Sequence, residues 1–147
     1  MSIADVLPFE ATLSVRDRCL CLHLQRAARA VARRFDEALR PHGLTNGQFS
    51  LLMSLNRPEP PTIGRVADGL AMDRTTLTAA LKPLERRGLV NVTVDATDRR
   101  SRRLALTPAG HAVLIAALPT WRHEHDAIDR TLAAEPDRLR GDLRALA

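Results

Sequence analysis

The chain has 147 residues, of which 45% are hydrophobic and only 3% aromatic, a size that fits one domain or a compact lobe with helices that need a partner. The formal net charge of +5 and the pI of about 10.8 favour a polyanionic partner over acidic proteins. No apolar run approaches the roughly 18 to 20 residues that span a membrane, and the start lacks a signal pattern, so we expect a cytoplasmic protein. Cys19 and Cys21 lie too close together to define a disulfide framework, which fits a reducing compartment.

The first third of the chain is predicted to contain an arm, two helices and a connector. Residues 1–14 lack apolar periodicity and are predicted to form a flexible arm. From Val15 to Arg40, apolar residues recur at steps of three and four, which predicts one long helix. Thr45 and Gln48 form a capping-box pattern that opens a second helix. Three prolines between residues 56 and 61 then predict a stiff connector.

A helix-turn-helix pattern follows the connector. Thr62 begins a short helix, Ala71-Met72 forms the turn, and Asp73 can cap a second helix that Gly88 ends. The apolar positions of the second helix have the i, i+3, i+4, i+7 spacing of a helix that packs on one side. They are Leu77, Ala80, Leu81 and Leu84. Pro83 lacks an amide donor and crowds the preceding turn, so we expect a kink there.

The opposite face of this second helix carries small hydroxyl or methyl side chains followed by cations. Small side chains let a helix lie deep in the major groove of DNA, while long cations reach bases or phosphates at its margins. We therefore predict base contacts by Arg74, Thr75, Thr78 and Lys82. Arg74, in the first turn, can alternatively swing to the phosphate backbone. The full predicted set of DNA-binding residues, including those of the wing described next, is Arg74, Thr75, Thr76, Thr78, Ala79, Lys82, Arg86, Arg99, Arg100 and Arg102.

A β-hairpin is predicted after the second helix. Residues 90–94 alternate in the manner of a strand, and a second strand centres on residues 104–106. The connection from Asp95 to Arg102 is long for a hairpin loop and carries three arginines, which predicts a wing that extends along DNA. Asp98 is predicted to brace Arg100, because a carboxylate that faced phosphate would be repelled.

The end of the chain is predicted to form two amphipathic helices. The first begins at Thr107-Pro108, an N-cap followed by a first-turn proline, and a short one begins near Pro136. Their apolar residues recur at alternating steps of three and four, as in a coiled coil. These residues are Leu114, Leu118, Trp121, His125, Ile128 and Leu132, followed by Leu139, Leu143 and Leu146. One lobe is too small to cover helices at both chain ends, so we expect a homodimer. Its two recognition helices, the second helices of each helix-turn-helix, would lie roughly 34 Å apart on a near-palindromic DNA site.

The run TIGRVADGLAMDRTTLTAALKPLERRGLV, followed by DATDRRSRRLALTPAG, resembles the winged helix-turn-helix of MarR-type bacterial transcription regulators. The resemblance extends from about Cys19 to Ala133 and is most specific at residues 85–90, at Asp98-Arg99-Arg100 and at residues 104–110. It implies a mainly α fold with a small β-hairpin wing. It also implies a homodimeric DNA-binding regulator, more often a repressor, that a small-molecule ligand or thiol oxidation releases from double-stranded DNA.

The expected organisation has three parts. Residues 1–14 form the arm, residues 15–56 and 108–147 form the helical dimerisation region, and residues 57–107 form the winged helix-turn-helix lobe. Residues 62–103 hold nine cations against five anions, and therefore four of the five net charges. No cofactor is expected.

Two further sites are implied by the resemblance. Cys19 and Cys21 match the location of the oxidised thiol in the peroxide-sensing branch, although that branch places tyrosine beside the thiol and this chain has none. The alternative is that both cysteines are small packing residues, since positions i and i+2 of one helix point about 200° apart. Trp121 and His23 are candidates for an effector pocket, which in this family commonly takes phenolic or lipophilic molecules.

Two alternatives to a sequence-specific regulator remain open. An architectural protein would bind DNA without base preference. A small hydrolase is also conceivable, but the sequence contains no nucleophile elbow or phosphate loop, and we expect no enzyme activity. His125 and Asp129 lie four residues apart on one helical face, but two ligands do not close a zinc site, so no metal site is predicted.

Overall fold

The computed structural model describes residues 6–147, which form seven α-helices and one antiparallel β-hairpin. The elements in chain order are α1 (Phe9–Arg18), α2 (Leu20–Leu39), a 3-10 turn (Arg40–His42), α3 (Asn46–Ser54), α4 (Ile63–Gly69), α5 (Arg74–Arg86), β1 (Val90–Val94), β2 (Arg102–Leu106), α6 (Pro108–Asp129) and α7 (Pro136–Leu146). The predicted mainly α fold with a small hairpin wing is confirmed. The chain divides into two compact units, residues up to Arg34 and Phe35–Ala147. Within residues 6–147, no helix is both long and apolar enough to cross a membrane.

The first unit corrects two predictions. The flexible arm predicted over residues 1–14 is helical from Phe9 onwards, and residues 1–5 lie outside the described part of the chain. Helix α1 buries no side chain, so it lacks the apolar periodicity by which a helix is usually found. Its charges do favour a helix, with Glu10 in the first turn and Arg16 and Arg18 in the last turn. The long helix predicted from Val15 is also two helices, because Cys19 adopts an extended conformation with φ −70° and ψ 108°.

The second unit is built on one core of leucine-rich side chains. Helix α5 contributes the predicted apolar stripe, since Leu77, Leu81 and Leu84 are all buried and Ala80 is partly buried. The largest fully buried side chains come from five different elements. They are Leu39, Leu52, Leu77, Leu84, Val90 and Leu104. This packing fixes which face of α5 points to solvent.

The boundaries of the helix-turn-helix follow the predicted capping signals. The Thr62 hydroxyl accepts a hydrogen bond from the Arg65 amide at the start of α4, and an Asp73 carboxylate oxygen accepts one from the Thr76 amide at the start of α5. Between them, Ala71 adopts a left-handed conformation with φ +51°. This tight turn is held by a 2.9 Å bond from the Met72 amide to the carbonyl of Ala67.

The hairpin is anchored on both sides. Strands β1 and β2 pair antiparallel, with Val90 opposite Leu106 and Val94 opposite Arg102. The Leu104 amide also donates a 2.9 Å bond to the carbonyl of Pro61, which joins β2 to the connector before α4. The connector is therefore attached to β2 through an isolated bridge, between Thr62 and Arg103.

The C-terminal helices supply the side chains of the predicted subunit seam. Leu114 is buried, and Leu118, Trp121 and Ile128 are partly buried against the core of their own unit, so the contribution of a second subunit to this seam stays a prediction. Three leucines of α7 remain exposed, as the dimer interpretation requires. They are Leu139, Leu143 and Leu146, with exposed fractions of 39%, 41% and 62%.

Candidate nucleic-acid interface

The outer face of α5 forms a shallow groove. Leu77, Leu81 and Leu84 anchor the opposite side of the helix in the core, so the residues between them face solvent. The groove is lined by Arg74, Thr75, Thr78, Ala79 and Lys82. These are five of the ten residues predicted from the sequence to contact DNA, and the structure brings them together on one exposed surface.

The three threonines at the start of α5 are not equivalent. The Thr76 hydroxyl donates a 2.8 Å bond to Asp73, and Thr76 lies outside the groove. The Thr78 hydroxyl donates a 2.8 Å bond to the carbonyl of Arg74, which leaves its lone pairs and methyl group toward the groove. Within the described chain, the Thr75 hydroxyl has no hydrogen-bond partner, so it can both donate and accept. Thr76 therefore belongs to the helix cap, while Thr75 and Thr78 face the groove.

The helix cap carries a fixed negative charge. Hydrogen bonds from the backbone amide and the hydroxyl of Thr76 hold the pKa of Asp73 below its ordinary value of 3.8. The ionised carboxylate satisfies amides at the positive end of the helix. Asp73 therefore fixes the start of α5 and leaves the groove itself without an acidic side chain.

The last turn of α5 contains Pro83, where a kink is predicted. The helix continues through Pro83 as one element as far as Arg86. Arg86 is exposed in this last turn but does not line the groove. Of the basic residues of α5, Arg74 and Lys82 therefore line the groove, and Arg86 lies at the end of the helix.

The wing carries its arginines on an exposed loop. Arg99, Arg100 and Arg102 are all exposed. Asp98 does brace this loop, but through the backbone, because its Oδ1 accepts a 3.0 Å bond from the amide of Arg100. Asp98 thus contacts Arg100 as predicted, although at its backbone amide, and the exposed guanidinium of Arg100 faces solvent.

A clamp at the base of the wing was missed in the sequence. Nε of Arg103 lies 3.3 Å from Oδ1 of Asp95, whose side chain is only 11% exposed. Nη1 of Arg103 donates a 2.7 Å bond to the carbonyl of Pro60. Burial acts to raise the pKa of Asp95, but hydrogen bonds from Thr97 and Arg103 outweigh it and hold the pKa below 3.8. No local pattern in the sequence indicates this clamp, because Arg103 and Pro60 are 43 residues apart.

The cysteines occupy different environments within the first unit. Cys19 lies at the break between α1 and α2, partly buried, and its Sγ accepts a 3.5 Å hydrogen bond from the Leu22 amide. Cys21 is exposed within α2. The argument that both lie on one helix is therefore wrong. His23 is exposed, and its Nδ1 lies 2.7 Å from the carbonyl of Cys19.

The second candidate for an effector pocket lies in an aromatic cluster of the second unit. The Trp121 ring stacks on the Phe49 ring with 5.9 Å between the ring centroids. The His125 ring centroid lies 4.3 Å from that of Trp121 and 4.5 Å from that of Phe35. Burial, followed by the charge of Arg140, holds the pKa of His125 below its ordinary value of 6.5. Across residues 6–147, no three His, Cys, Asp or Glu side chains are grouped to hold a metal ion.

The helix-turn-helix has an exposed groove on α5, and the hairpin that follows it carries a basic wing. This combination defines a winged-helix protein. The MarR family profile matches residues 44–101. The chain is 39% identical to the M. tuberculosis transcriptional regulator MosR in complex with DNA, with a TM-score of 0.81 over 88% of this chain and 93% of that one. The chain belongs to the MarR family.

Two other relatives carry informative names. The transcriptional repressor CouR, bound to a 23-mer DNA duplex, is 32% identical over 90% of this chain and 92% of its own, with a TM-score of 0.75. The transcriptional activatory protein BadR of Rhodopseudomonas palustris is 32% identical over 71% of this chain and 61% of its own. The chain covers about 61–62% of the length of the curated relatives that it first matches.

Proposed function

We propose that this chain is a homodimeric transcription regulator, acting as a repressor, that binds a near-palindromic operator in double-stranded DNA. The observation that carries the proposal is the groove on α5, whose lining combines small side chains with Arg74 and Lys82. A surface of this kind fits the major groove, because the small residues allow close approach and the cations bind guanine edges or phosphates. MosR and CouR, which share the fold, are seen with DNA.

The groove offers a definite set of contacts. Thr75 can donate to or accept from a base edge, Thr78 can accept from an exocyclic amino group, and the Ala79 methyl group suits a thymine methyl. Lys82 supplies a point charge at the margin. Because these contacts differ between base pairs, we expect binding that depends on sequence.

The wing adds affinity without adding sequence information. Arg99, Arg100 and Arg102 are exposed on a loop whose backbone Asp98 holds in place. Arginines on such a loop bind phosphates, which release counterions and make binding weaken with salt. The proposed interface therefore combines α5 for sequence with the wing for phosphate contacts.

Apolar side chains at both ends of the chain support the homodimer. Val6, Leu7, Phe9, Val15 and Leu20 are all more than half exposed in the first unit. The exposed leucines of α7 provide a second apolar surface. Pairing two copies of these surfaces removes them from water, and two-fold symmetry places two recognition helices on one operator.

Release from DNA requires a signal that favours a dimer with wrongly spaced recognition helices. A ligand can shift binding only by its difference in affinity for the two forms. CouR from Rhodococcus jostii has been solved with p-coumaroyl-CoA, which supports an organic effector. Trp121 of the second unit and His23 of the first unit are separate candidate contacts. Peroxide oxidation of Cys19 is the second candidate signal, because this thiol lies at the break between α1 and α2.

A fluorescence-anisotropy titration tests the proposal. The protein is titrated onto the duplex upstream of its own coding region and onto a scrambled duplex, each at two salt concentrations. We expect a preference of about 10³ or more for the upstream duplex and a steep loss of affinity with salt. Equal binding to both would favour an architectural role, and no binding at low salt would favour the hydrolase.

A further inference from the structure

The side chain of Arg74 crosses from α5 onto α4. A Cβ atom built on Gly64 would lie 2.7 Å from Nη2 of Arg74, 3.4 Å from Cζ and 3.8 Å from Nε. The guanidinium group therefore lies directly against the α-carbon of Gly64. It occupies space that the Cβ atom of any other residue would fill.

The backbone of α4 does not itself require glycine at this position. Positive φ angles among the described glycines occur at Gly43 and Gly88, not at Gly64. Inside a helix, glycine is also less favourable than alanine. Instead, the path of the Arg74 side chain requires that residue 64 have no side chain of its own.

The guanidinium held in this place is free to bind an anion. Arg74 is exposed, and in the described chain its guanidinium has no hydrogen-bond or ion-pair partner. Its planar group presents five donors in a geometry that matches two oxygens of a phosphodiester. Arg74 is also the first residue of α5, at the edge of the groove, where the DNA backbone passes a helix that enters the major groove.

We propose that Gly64 is a positioning residue: its missing side chain leaves room for Arg74 to lie against α4, where it binds a phosphodiester of the DNA backbone. This role rests on the DNA-binding function proposed above. Of the two contacts predicted for Arg74, with the phosphate backbone or with a base, this role selects the first, and it leaves base contacts to Thr75, Thr78 and Lys82.

The test compares Gly64→Ala, Arg74→Ala and the double variant, with Gly69→Ala as the matched control. Gly69 lies in the same helix, and a Cβ atom built on it has no neighbour within 4 Å. A methyl group at Gly64 meets only the end of a flexible side chain, so the variant should fold and melt at or above the wild-type temperature. Dissociation constants are measured on the upstream and scrambled duplexes across a salt series.

We expect Gly64→Ala to weaken binding to both duplexes by the same factor, about tenfold, and to lower the slope of log K against log salt by about one. Arg74→Ala should do the same, the double variant should be no weaker than Arg74→Ala, and Gly69→Ala should bind like wild type. Additive effects, a loss confined to the upstream duplex, or unchanged binding of Gly64→Ala would each overturn the proposal. A wild-type protein that bound no DNA would overturn the proposed function as well, so the two failures are distinguishable.

Discussion

Nε of Arg103 lies 3.3 Å from Oδ1 of Asp95, and the same guanidinium donates to the carbonyl of Pro60. One arginine thus joins the base of the wing to the connector before α4. Replacing it by methionine should lower the urea midpoint of unfolding, because the largely buried Asp95 carboxylate loses its partner. Arg102→Met is the control, since Arg102 is exposed and bonds only to carbonyls of its own loop. Equal midpoints for the two variants would rule out the clamp.

The same pair predicts a pH dependence. The pKa of Asp95 is below 3.8 in the folded chain, so folding favours the ionised form. Its contribution to stability is complete above the ordinary value of 3.8 and is lost as the pH falls through the lower folded pKa. Urea unfolding between pH 5 and pH 2 should therefore show a shallower acid loss in Asp95→Asn than in wild type. An unchanged acid profile in that variant would contradict the assignment.

The helix-turn-helix could be predicted because its signals are local. Thr62, Asp73 and Gly88 mark helix ends by the chemistry of a few neighbouring residues, and the stripe on α5 repeats along one helix. Helix α1 was missed because it buries nothing, so its apolar residues show no period. The kink expected at Pro83 stays a prediction, since the proline lies inside α5 and removes the amide that would bond to the carbonyl of Ala79.

Contacts between distant segments could not be predicted in the same way. Arg103 and Pro60 are 43 residues apart, and Gly64 and Arg74 lie on different helices, so no periodicity connects them. The seam predicted on α6 shows the same limit, because the sequence reveals an apolar face but not what covers it. In the fold, Leu118 and Trp121 are partly buried against their own unit.

Close packing at Gly110 provides a test of how the hairpin is attached to α6. A Cβ atom built there would clash with the Leu89 carbonyl oxygen and lie 3.2 Å from Cδ2 of Leu106. Gly110→Ala should therefore lower the free energy of unfolding by about 1 to 3 kcal/mol, because backbone must move. Gly69→Ala, which meets open space, should be neutral or stabilising. Thermal and urea unfolding of both variants would check this, and similar stabilities would count against it.

The lowered pKa of His125 predicts that the stability of the second unit depends on pH. Burial beside Phe35 and Trp121, and then the charge of Arg140, lower its pKa, while Asp129 and Asp126 act in the opposite direction. Folding thus favours the neutral ring, so stability is retained above the ordinary pKa of 6.5 and decreases as the pH falls below it.

The variant His125→Phe should abolish the part of this decrease that occurs between pH 7 and pH 5. Urea unfolding followed by the fluorescence of the single tryptophan measures it. His123→Phe, at an exposed position, should keep the wild-type profile. Retention of the full pH dependence in His125→Phe would show that another group causes it.

Thr75 offers a test of sequence readout by α5. Its hydroxyl lines the groove, and no partner within the described chain engages it. Thr75→Ala should weaken binding to the upstream duplex by about five- to a hundredfold and leave binding to a scrambled duplex unchanged. Thr131→Ala, at an exposed position at the end of α6, serves as the control. Equal losses on both duplexes would show that Thr75 contacts the backbone instead.

The cysteines can be separated by their response to peroxide. A peroxide would convert the Cys19 thiol to a sulfenic acid and be reduced to water. This reaction adds an oxygen atom to a partly buried sulfur that accepts a hydrogen bond from the Leu22 amide. If this oxidation is the releasing signal, peroxide should weaken DNA binding of wild type and of Cys21→Ser, and thiol reductant should restore it. Cys19→Ser should bind DNA and ignore peroxide. A response that persists in Cys19→Ser would assign the oxidation to another group, with the exposed Cys21 thiol as the next candidate. No response in wild type would rule out thiol oxidation as the signal and leave an organic ligand as the effector.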